Sequence, residues 1–254
     1  MMKLGAQLYT VREFTQTTDA LAETLAKVAD IGYTSVQVSG TGPYEPAWLK
    51  EQLQKNGLVC PVTHTNPDRI ADETAAVVEE HNIFGCPVVG IGSAPGGFEN
   101  GFSDLAAFTR RFLPAAKILQ EKGCVLGYHN HHFEFIKENG MTLLEKMAAD
   151  FPPELLTFIL DTYWVQYSGG DPAAFIKKMS GRVQCVHLKD LAIVNREQRM
   201  AVVGEGNINF DAVFSACEGA GTQYLLVEQD DCYGEDPFAC LKRSYEYLKA
   251  QGLS

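Results

Sequence analysis

The sequence predicts a (β/α)8 barrel, the TIM-barrel fold, from the alternation of two kinds of segment and from its length. Eight short apolar runs rich in β-branched residues alternate with longer amphipathic stretches, and turn residues bound each run. Eight such units in 254 residues match the usual size of this barrel. The predicted strands are residues 3–9, 34–40, 58–64, 87–93, 124–131, 155–161, 183–190 and 224–230.

The segments between these runs have the period of helices. The first places Leu21 and Leu25 on one stripe and ends at Gly32, a residue type common at helix C-caps. Segments 104–122 and 237–251 have the same character. Strands that are apolar along most of their length and alternate with helices indicate a parallel sheet buried on both faces.

A doubly wound open sheet is the alternative architecture for alternating strands and helices. Its dinucleotide-binding form carries GxGxxG after the first strand, whereas this chain has "GAQLYTVRE" there. No internal repeat, low-complexity tract or Pro/Ser-rich linker marks a boundary, so we expect one domain over residues 1–254. The long connection 191–210 is then expected to be a functional loop of that domain.

The composition disfavours several classes of protein. The net charge is −11 and no Lys/Arg-rich block occurs, so nucleic acid is not an expected partner. The apolar stretches fall far short of the roughly 18 to 20 residues that cross a bilayer, and no secretory signal is legible, so no membrane association is expected. Seven cysteines without a CxxC pair indicate reduced thiols and a cytoplasmic protein.

Polar side chains gather at the carboxyl ends of the predicted strands, which open onto the active-site face of a barrel. Taken singly, each has an ordinary explanation: a histidine can be a packing residue, Asp161 can cap the next helix, and Lys189 can pair with Asp190. One divalent cation explains them jointly, because imidazole nitrogens and carboxylate oxygens suit manganese, zinc, magnesium or cobalt. The residues are His64, His129, His131, Asp161, His187, Lys189 and Glu228.

Four motifs in these strand ends and loops carry a resemblance to a known family. They are "LDTYW" (160–164), "VHLKD" (186–190), "GEGNINF" (204–210) and "VEQD" (227–230). In their order and spacing they resemble the sugar phosphate isomerase/epimerase family, the xylose-isomerase-like TIM barrels. The resemblance implies a divalent metal held by Glu, Asp, His and Glu from successive strand ends. It assigns the last three ligands to Asp161, His187 and Glu228.

The fifth strand departs from the pattern of that family. It reads Tyr128-His129-Asn130-His131, with His129 at the level where many relatives have the first glutamate. The nearest carboxylate is Glu134, beyond the strand. Either Glu134 or His129 completes the metal shell. We expect Glu134, because a third anionic ligand better offsets the charge of a dication.

The resemblance implies an isomerase or epimerase that acts on a ketose or keto-sugar through an enediolate intermediate. A Lewis-acid metal would stabilise the enediolate, and Glu134 and Glu228 would shuttle the proton. His129 or His131 would polarise a hydroxyl or protonate a leaving oxygen. Lys189 would bind substrate oxygens.

Two other functions stay open at this point. The pattern "HNHxFEF" resembles a branch associated with inositol and keto-sugar metabolism. That branch implies a metal-dependent 3-keto-glycoside lyase or hydratase, or an inosose-type dehydratase. A non-catalytic sugar-binding barrel is the second alternative.

All these functions take a small-molecule sugar as the partner. The acidic segment "EQDDCYGED" after the eighth strand would repel a phosphate, so a neutral sugar or polyol is expected. The sequence leaves open whether the chain is a monomer or a homo-oligomer. The expected substrate-binding residues are Tyr9, His64 and Trp164.

Overall fold

A computed structural model describes residues 2–253 of the chain. Within them, eight parallel strands form one sheet in the order β2-β1-β8-β7-β6-β5-β4-β3. Isolated parallel bridges, Ser35 with Val59 and Val38 with Thr63, join the second and third strand regions and close the barrel. The strands are β1 (Lys3–Gln7), β2 (Ser35–Gln37), β3 (Val62–His64), β4 (Val88–Ile91), β5 (Val125–His129), β6 (Leu156–Asp161), β7 (Cys185–Leu188) and β8 (Tyr224–Val227).

Helices follow the strands and cover the outside of the barrel, which confirms the predicted fold class. The predicted C-cap Gly32 has φ of 119°, a left-handed conformation that glycine adopts without steric cost. No helix in the described part of the chain is long and apolar enough to cross a bilayer. The helices are α1 (Thr18–Ile31), α2 (Pro46–Lys55), α3 (Pro67–Asp72), α4 (Thr74–Phe84), α5 (Phe102–Glu121), α6 (Leu143–Asp150), α7 (Thr162–Tyr167), α8 (Pro172–Lys178), α9 (Phe210–Ala220) and α10 (Pro237–Ala250).

The core has two parts, as expected for a closed barrel. A small cluster of buried side chains from five strands packs together, and a much larger cluster joins the strands to the helices. Close strand pairing requires glycine at Gly5, where a Cβ atom would lie 2.3 Å from Oγ of Ser35. The small cluster comprises Val62, Val88, Ile159, Cys185 and Leu226.

The connection predicted as a functional loop, residues 191–210, begins as a β-hairpin. Strand Asp190–Val194 pairs antiparallel with Glu197–Ala201. The turn residues Asn195 and Arg196 have φ values of 52° and 70°, the positive values that a tight two-residue hairpin turn requires. Only the part after residue 201 is irregular before α9 begins.

Candidate metal centre

Four buried side chains converge at the carboxyl ends of neighbouring barrel strands. His129 ends β5, Asp161 ends β6, His187 lies on β7 and Glu228 directly follows β8. One ligand atom from each lies within 4.8 Å of the ligand atoms of the others. Asp161 and His187 are direct register partners, which fixes their proximity. These four residues could hold a metal ion.

The imidazole of His187 has the tautomer that a metal ligand requires. Its Nε2–H donates to Oε1 of Gln37 across 2.6 Å, so Nδ1 carries a free lone pair. This Nδ1 lies 2.9 Å from Oε2 of Glu228 and 3.9 Å from Oδ2 of Asp161. Nδ1 and Oε2 are both buried without a hydrogen-bond partner. Two lone pairs that face each other at this distance fit a shared cation.

His129 is oriented in the same way by the other ring nitrogen. Its Nδ1 lies 2.9 Å from the carbonyl oxygen of Gly92, which can only accept, so Nδ1 carries the proton. Nε2 faces Oδ2 of Asp161 at 3.2 Å. Burial lowers the pKa of His129, but the contact with Asp161 outweighs it and the net pKa is raised. His129 therefore presents Nε2 to the same point as His187 presents Nδ1.

Each carboxylate uses one oxygen to fix its position and turns the other toward the centre. Oδ1 of Asp161 accepts the backbone N–H of Trp164 at 3.0 Å and caps α7. The predicted capping role and the predicted site role of Asp161 therefore coexist. Oε1 of Glu228 accepts from Nε2 of Gln7 at 2.8 Å. Two carboxylate oxygens and two imidazole nitrogens form a donor set that suits manganese, cobalt or zinc.

Lys189 brings an ammonium group into this cluster. The side chain is 1% exposed, and Nζ lies 3.1 Å from Oδ2 of Asp161 and 2.8 Å from Oε2 of Glu228. A third carboxylate, Asp230, approaches Nζ to 2.9 Å. Although burial opposes it, Lys189 lowers the pKa of both Asp161 and Glu228. Burial and the charge of Glu228 raise the pKa of Asp230 to about 6.

Glu134, the expected fifth-strand ligand, does not lie with the other three expected ligands. Its carboxylate is fully buried and accepts from the hydroxyl of Tyr128 and from the backbone N–H of His131. Tyr128 packs against Phe108 of α5, with ring centroids 5.5 Å apart. Glu134 is thus held on the helix side of β5, and His129 takes the expected position beside Asp161. Burial raises the pKa of Glu134 to about 7.

A cavity of about 430 Å³ opens above the four-residue cluster. Two neutral imidazoles border it: Nδ1 of His64 contacts Oγ of Ser39 at 3.0 Å, while Nε2 is buried without a partner. Nδ1 of His131 is likewise unpartnered. Burial, followed by the neighbouring His129, lowers the pKa of both rings, that of His131 to about 3. The walls also include Gln7, Tyr9, Asn66, Ser93, His129, Lys189, Glu228 and Asp230.

The family of the chain follows from comparison with known proteins. The model of the family described as "Xylose isomerase-like TIM barrel" matches residues 25–251. The chain belongs to this family. The resemblance carried by the strand-end motifs is thereby confirmed for the xylose isomerase-like barrel as a whole.

Relatives of this xylose isomerase-like barrel include an inosose dehydratase of Bacillus cereus (strain AH820). It is 30% identical over 152 residues, which cover 53% of this chain and 48% of that protein. The match therefore spans about half the length of this curated relative. A sugar phosphate isomerase/epimerase from Parabacteroides distasonis ATCC 8503 superposes with a TM-score of 0.82, over 98% of this chain and 94% of that one, at 21% identity.

A solved L-ribulose 3-epimerase also shares the architecture of the xylose isomerase-like barrel. Its TM-score is 0.75 over 98% of this chain and 94% of that one, with 15% identity. At such identities, the likeness to solved structures shows the fold alone.

The expected substrate-binding residues of the xylose isomerase-like barrel occupy different places. Tyr9 and His64 border the cavity. Trp164 lies against the ring of His131 at 5.4 Å and against Nζ of Lys189 at 5.7 Å. It therefore contacts two residues of the cavity wall.

Several residues that orient the cluster were not predicted from the sequence. Gln7 and Gln37 are fully buried at the ends of β1 and β2 and hold Glu228 and His187. Asp230 was missed as a partner of Lys189. Each glutamine lies within a predicted strand. Because a buried amide needs a polar partner, this placement could have indicated that the two glutamines bind other side chains of the site.

Proposed function

We propose that this barrel is a divalent-metal-dependent lyase that enolises a keto-sugar or keto-polyol and then expels a neighbouring oxygen substituent. The observation that carries the proposal is that a histidine, and not a carboxylate, lies at the fifth-strand position of the cluster. His129 stands beside Asp161, while Glu134 is bound by Tyr128. Epimerisation by two glutamates that face each other across the substrate requires a carboxylate where His129 stands.

Asp161, His187, Glu228 and His129 would hold the metal. When bound, the metal supplies Lewis acidity at the substrate carbonyl. His129 has one nitrogen committed to Gly92 and the other to the cluster, so it cannot accept a substrate proton. Asp161 is committed in the same way, to Trp164 and to the cluster. Glu228 is also held by one oxygen, to Gln7, but unlike Asp161 it borders the cavity, so we assign the proton transfer to it.

The reaction has two parts. Glu228 removes a proton from the carbon next to the carbonyl, and the electron pair left on carbon delocalises into the carbonyl. The carbonyl then re-forms as the electron pair makes a carbon–carbon double bond, and the substituent on the next carbon departs with its oxygen. Burial lowers the pKa of Lys189, but the charges of Asp161, Glu228 and Asp230 outweigh it and the net pKa is raised, so Lys189 keeps its proton and hydrogen-bonds the leaving oxygen. The proton that Glu228 removed passes to that oxygen. His64 and His131, both neutral, hydrogen-bond the remaining substrate hydroxyls.

The curated relative supports this assignment. The curated relative from Bacillus cereus is named inosose dehydratase, and a dehydratase of an inosose eliminates water from a keto-polyol. Isomerisation or epimerisation begins with the same proton removal but returns the proton to substrate. Isomerisation or epimerisation would therefore require a second proton-transfer group. Glu134 was expected in this role, but its carboxylate is bound by the hydroxyl of Tyr128 instead.

The test is incubation of the Mn²⁺-loaded protein with inososes, 3-keto-glycosides and simple ketoses in deuterated water, followed by NMR. We expect loss of water or release of the aglycone. Deuterium in a recovered epimer without loss of a substituent would replace the proposal with epimerisation. If no substrate changes, the proposed catalysis is wrong and the non-catalytic sugar-binding barrel is the remaining function. Glu228→Gln is the control, since it retains an oxygen ligand but not the base.

A further inference from the structure

The ammonium of Lys189 touches the same two oxygen atoms that face the histidine ligands. Oδ2 of Asp161 lies 3.2 Å from Nε2 of His129 and 3.1 Å from Nζ of Lys189. Oε2 of Glu228 lies 2.9 Å from Nδ1 of His187 and 2.8 Å from the same Nζ. The oxygens that would bind a metal are therefore already in contact with a cation.

Hydrogen-bond geometry separates the three carboxylate partners of Lys189. Nζ donates a hydrogen bond to Oδ2 of Asp230 at 3.1 Å. It also forms close ion pairs with Asp161 and Glu228. Asp230 borders the cavity, and its side chain is 26% exposed. Asp230 thus binds Lys189 from the cavity side and is not one of the four residues of the cluster.

The charges of the site indicate what a dication would do. Three carboxylates, Asp161, Glu228 and Asp230, face one ammonium, so two negative charges are left over. A dication removes this excess. It would also share two oxygens with the ammonium and repel it, and in a buried site that repulsion is only weakly screened. The direction of displacement is toward Asp230.

We propose that Lys189 holds the carboxylates of Asp161 and Glu228 together in the metal-free protein and passes to Asp230 alone when a divalent cation binds. Metal binding then turns the ammonium toward the cavity, where it contacts the leaving oxygen of the substrate. This inference rests on the proposed function for the identity of the metal ligands. It adds that the chain carries an internal cation which competes with the metal.

The experiment is calorimetric titration of the chelator-treated full chain with Mn²⁺ alone. Lys189→Met removes the competing charge, and we expect Mn²⁺ to bind at least about tenfold more tightly. Lys242→Met is the matched control: it removes the same charge from a side chain that is 64% exposed, and its affinity should equal that of the wild type. Equal or weaker binding by Lys189→Met overturns the proposal.

A second variant separates local competition from overall charge and guards against misfolding. Lys189→Met combined with Asp230→Asn keeps the net charge of the pocket and still removes the competitor. We expect it to bind Mn²⁺ more tightly than the wild type, and an affinity equal to that of the wild type overturns the proposal. A wild type that binds no Mn²⁺ contradicts the proposed metal site itself, which distinguishes the two failures.

Discussion

The side chains of His187 and Gln37 meet inside the barrel mouth, although 150 residues separate them in the chain. Nε2 of His187 donates to Oε1 of Gln37 across 2.6 Å, and both side chains are fully buried. Strands β2 and β7 are not neighbours in the sheet, so barrel curvature creates this contact. The bond fixes which nitrogen of His187 is free to bind a metal.

Gln37→Leu should therefore weaken metal binding while the barrel stays folded. Without the acceptor, His187 can rotate or take the other tautomer, and loss of such an orienting bond typically costs about 10- to 100-fold in metal affinity. Gln37→Glu keeps the acceptor and should bind Mn²⁺ at least as tightly as the wild type. Calorimetry measures both affinities, with circular dichroism as the check on folding. Wild-type affinity in Gln37→Leu would show that His187 needs no such support.

Substitution of His129 should lower the metal content of the protein, whereas substitution of Glu134 should leave it unchanged. His129→Ala removes a nitrogen that faces Asp161, so we expect its affinity for Mn²⁺ to fall by more than about 100-fold, beyond the loss for an orienting residue. Glu134→Gln changes a carboxylate held by Tyr128 and should keep wild-type metal content. Elemental analysis after dialysis against Mn²⁺ measures both. Loss of metal in Glu134→Gln would restore Glu134 as a ligand.

The fold and most of the cluster were predictable because they depend on pattern and position along strands. Apolar runs and helical stripes predict the barrel, and a residue at the carboxyl end of a parallel strand lies at its mouth regardless of which neighbours surround it. Asp161, His187 and Glu228 were found in this way. The cluster in the structure contains all three.

The residue that the fifth strand contributes to the cluster was not predictable from the same rule. Alternation along β5 places His129 inside and Tyr128 outside, but Glu134 lies beyond the strand, where alternation no longer applies. The short turn after residue 130 carries Glu134 to the hydroxyl of Tyr128. Likewise, the contact between His187 and Gln37 depends on the closed shape of the barrel and not on local sequence.

The buried carboxyl of Glu134 should make the stability of the protein fall as pH rises. Its pKa is about 7 in the folded chain against an ordinary value of 4.5, so the folded chain keeps a proton that the unfolded chain releases in this range. Stability contributed by this proton is full below about pH 4.5 and is lost as pH rises through about 7. The total effect is about 3 kcal/mol.

Glu134→Gln isolates this effect, because glutamine carries no such proton. Urea unfolding of the chelator-treated proteins at pH 5, 6, 7 and 8 should show the variant gaining stability relative to the wild type by up to about 3 kcal/mol. Glu138→Gln removes the same charge from an exposed position and controls for net charge. A difference between Glu134→Gln and the wild type that stays constant with pH would contradict the raised pKa.

Asp190 ties the segment that follows the hairpin of residues 190–201 to the end of β7, next to Lys189. Its buried carboxylate accepts backbone N–H groups from Leu191 at 2.7 Å, Gly204 at 3.0 Å, Gly206 at 2.9 Å and Ile208 at 3.2 Å. A Cβ atom on Gly206 would lie 2.4 Å from Oδ1 of Asp190. This close approach is why the segment needs a glycine there.

Gly206→Ala should therefore destabilise the protein by about 1–3 kcal/mol, since the added methyl group pushes the segment off Asp190. Gly219→Ala, in α9, is the matched control: its Cβ meets nothing within 4 Å, and it should stabilise the protein by about 0.5–1 kcal/mol. Urea unfolding measures both changes. Trypsin should also cleave the hairpin at Arg196 faster in Gly206→Ala alone. If the two alanine variants shift stability in the same direction, the contact with Asp190 does not constrain this segment.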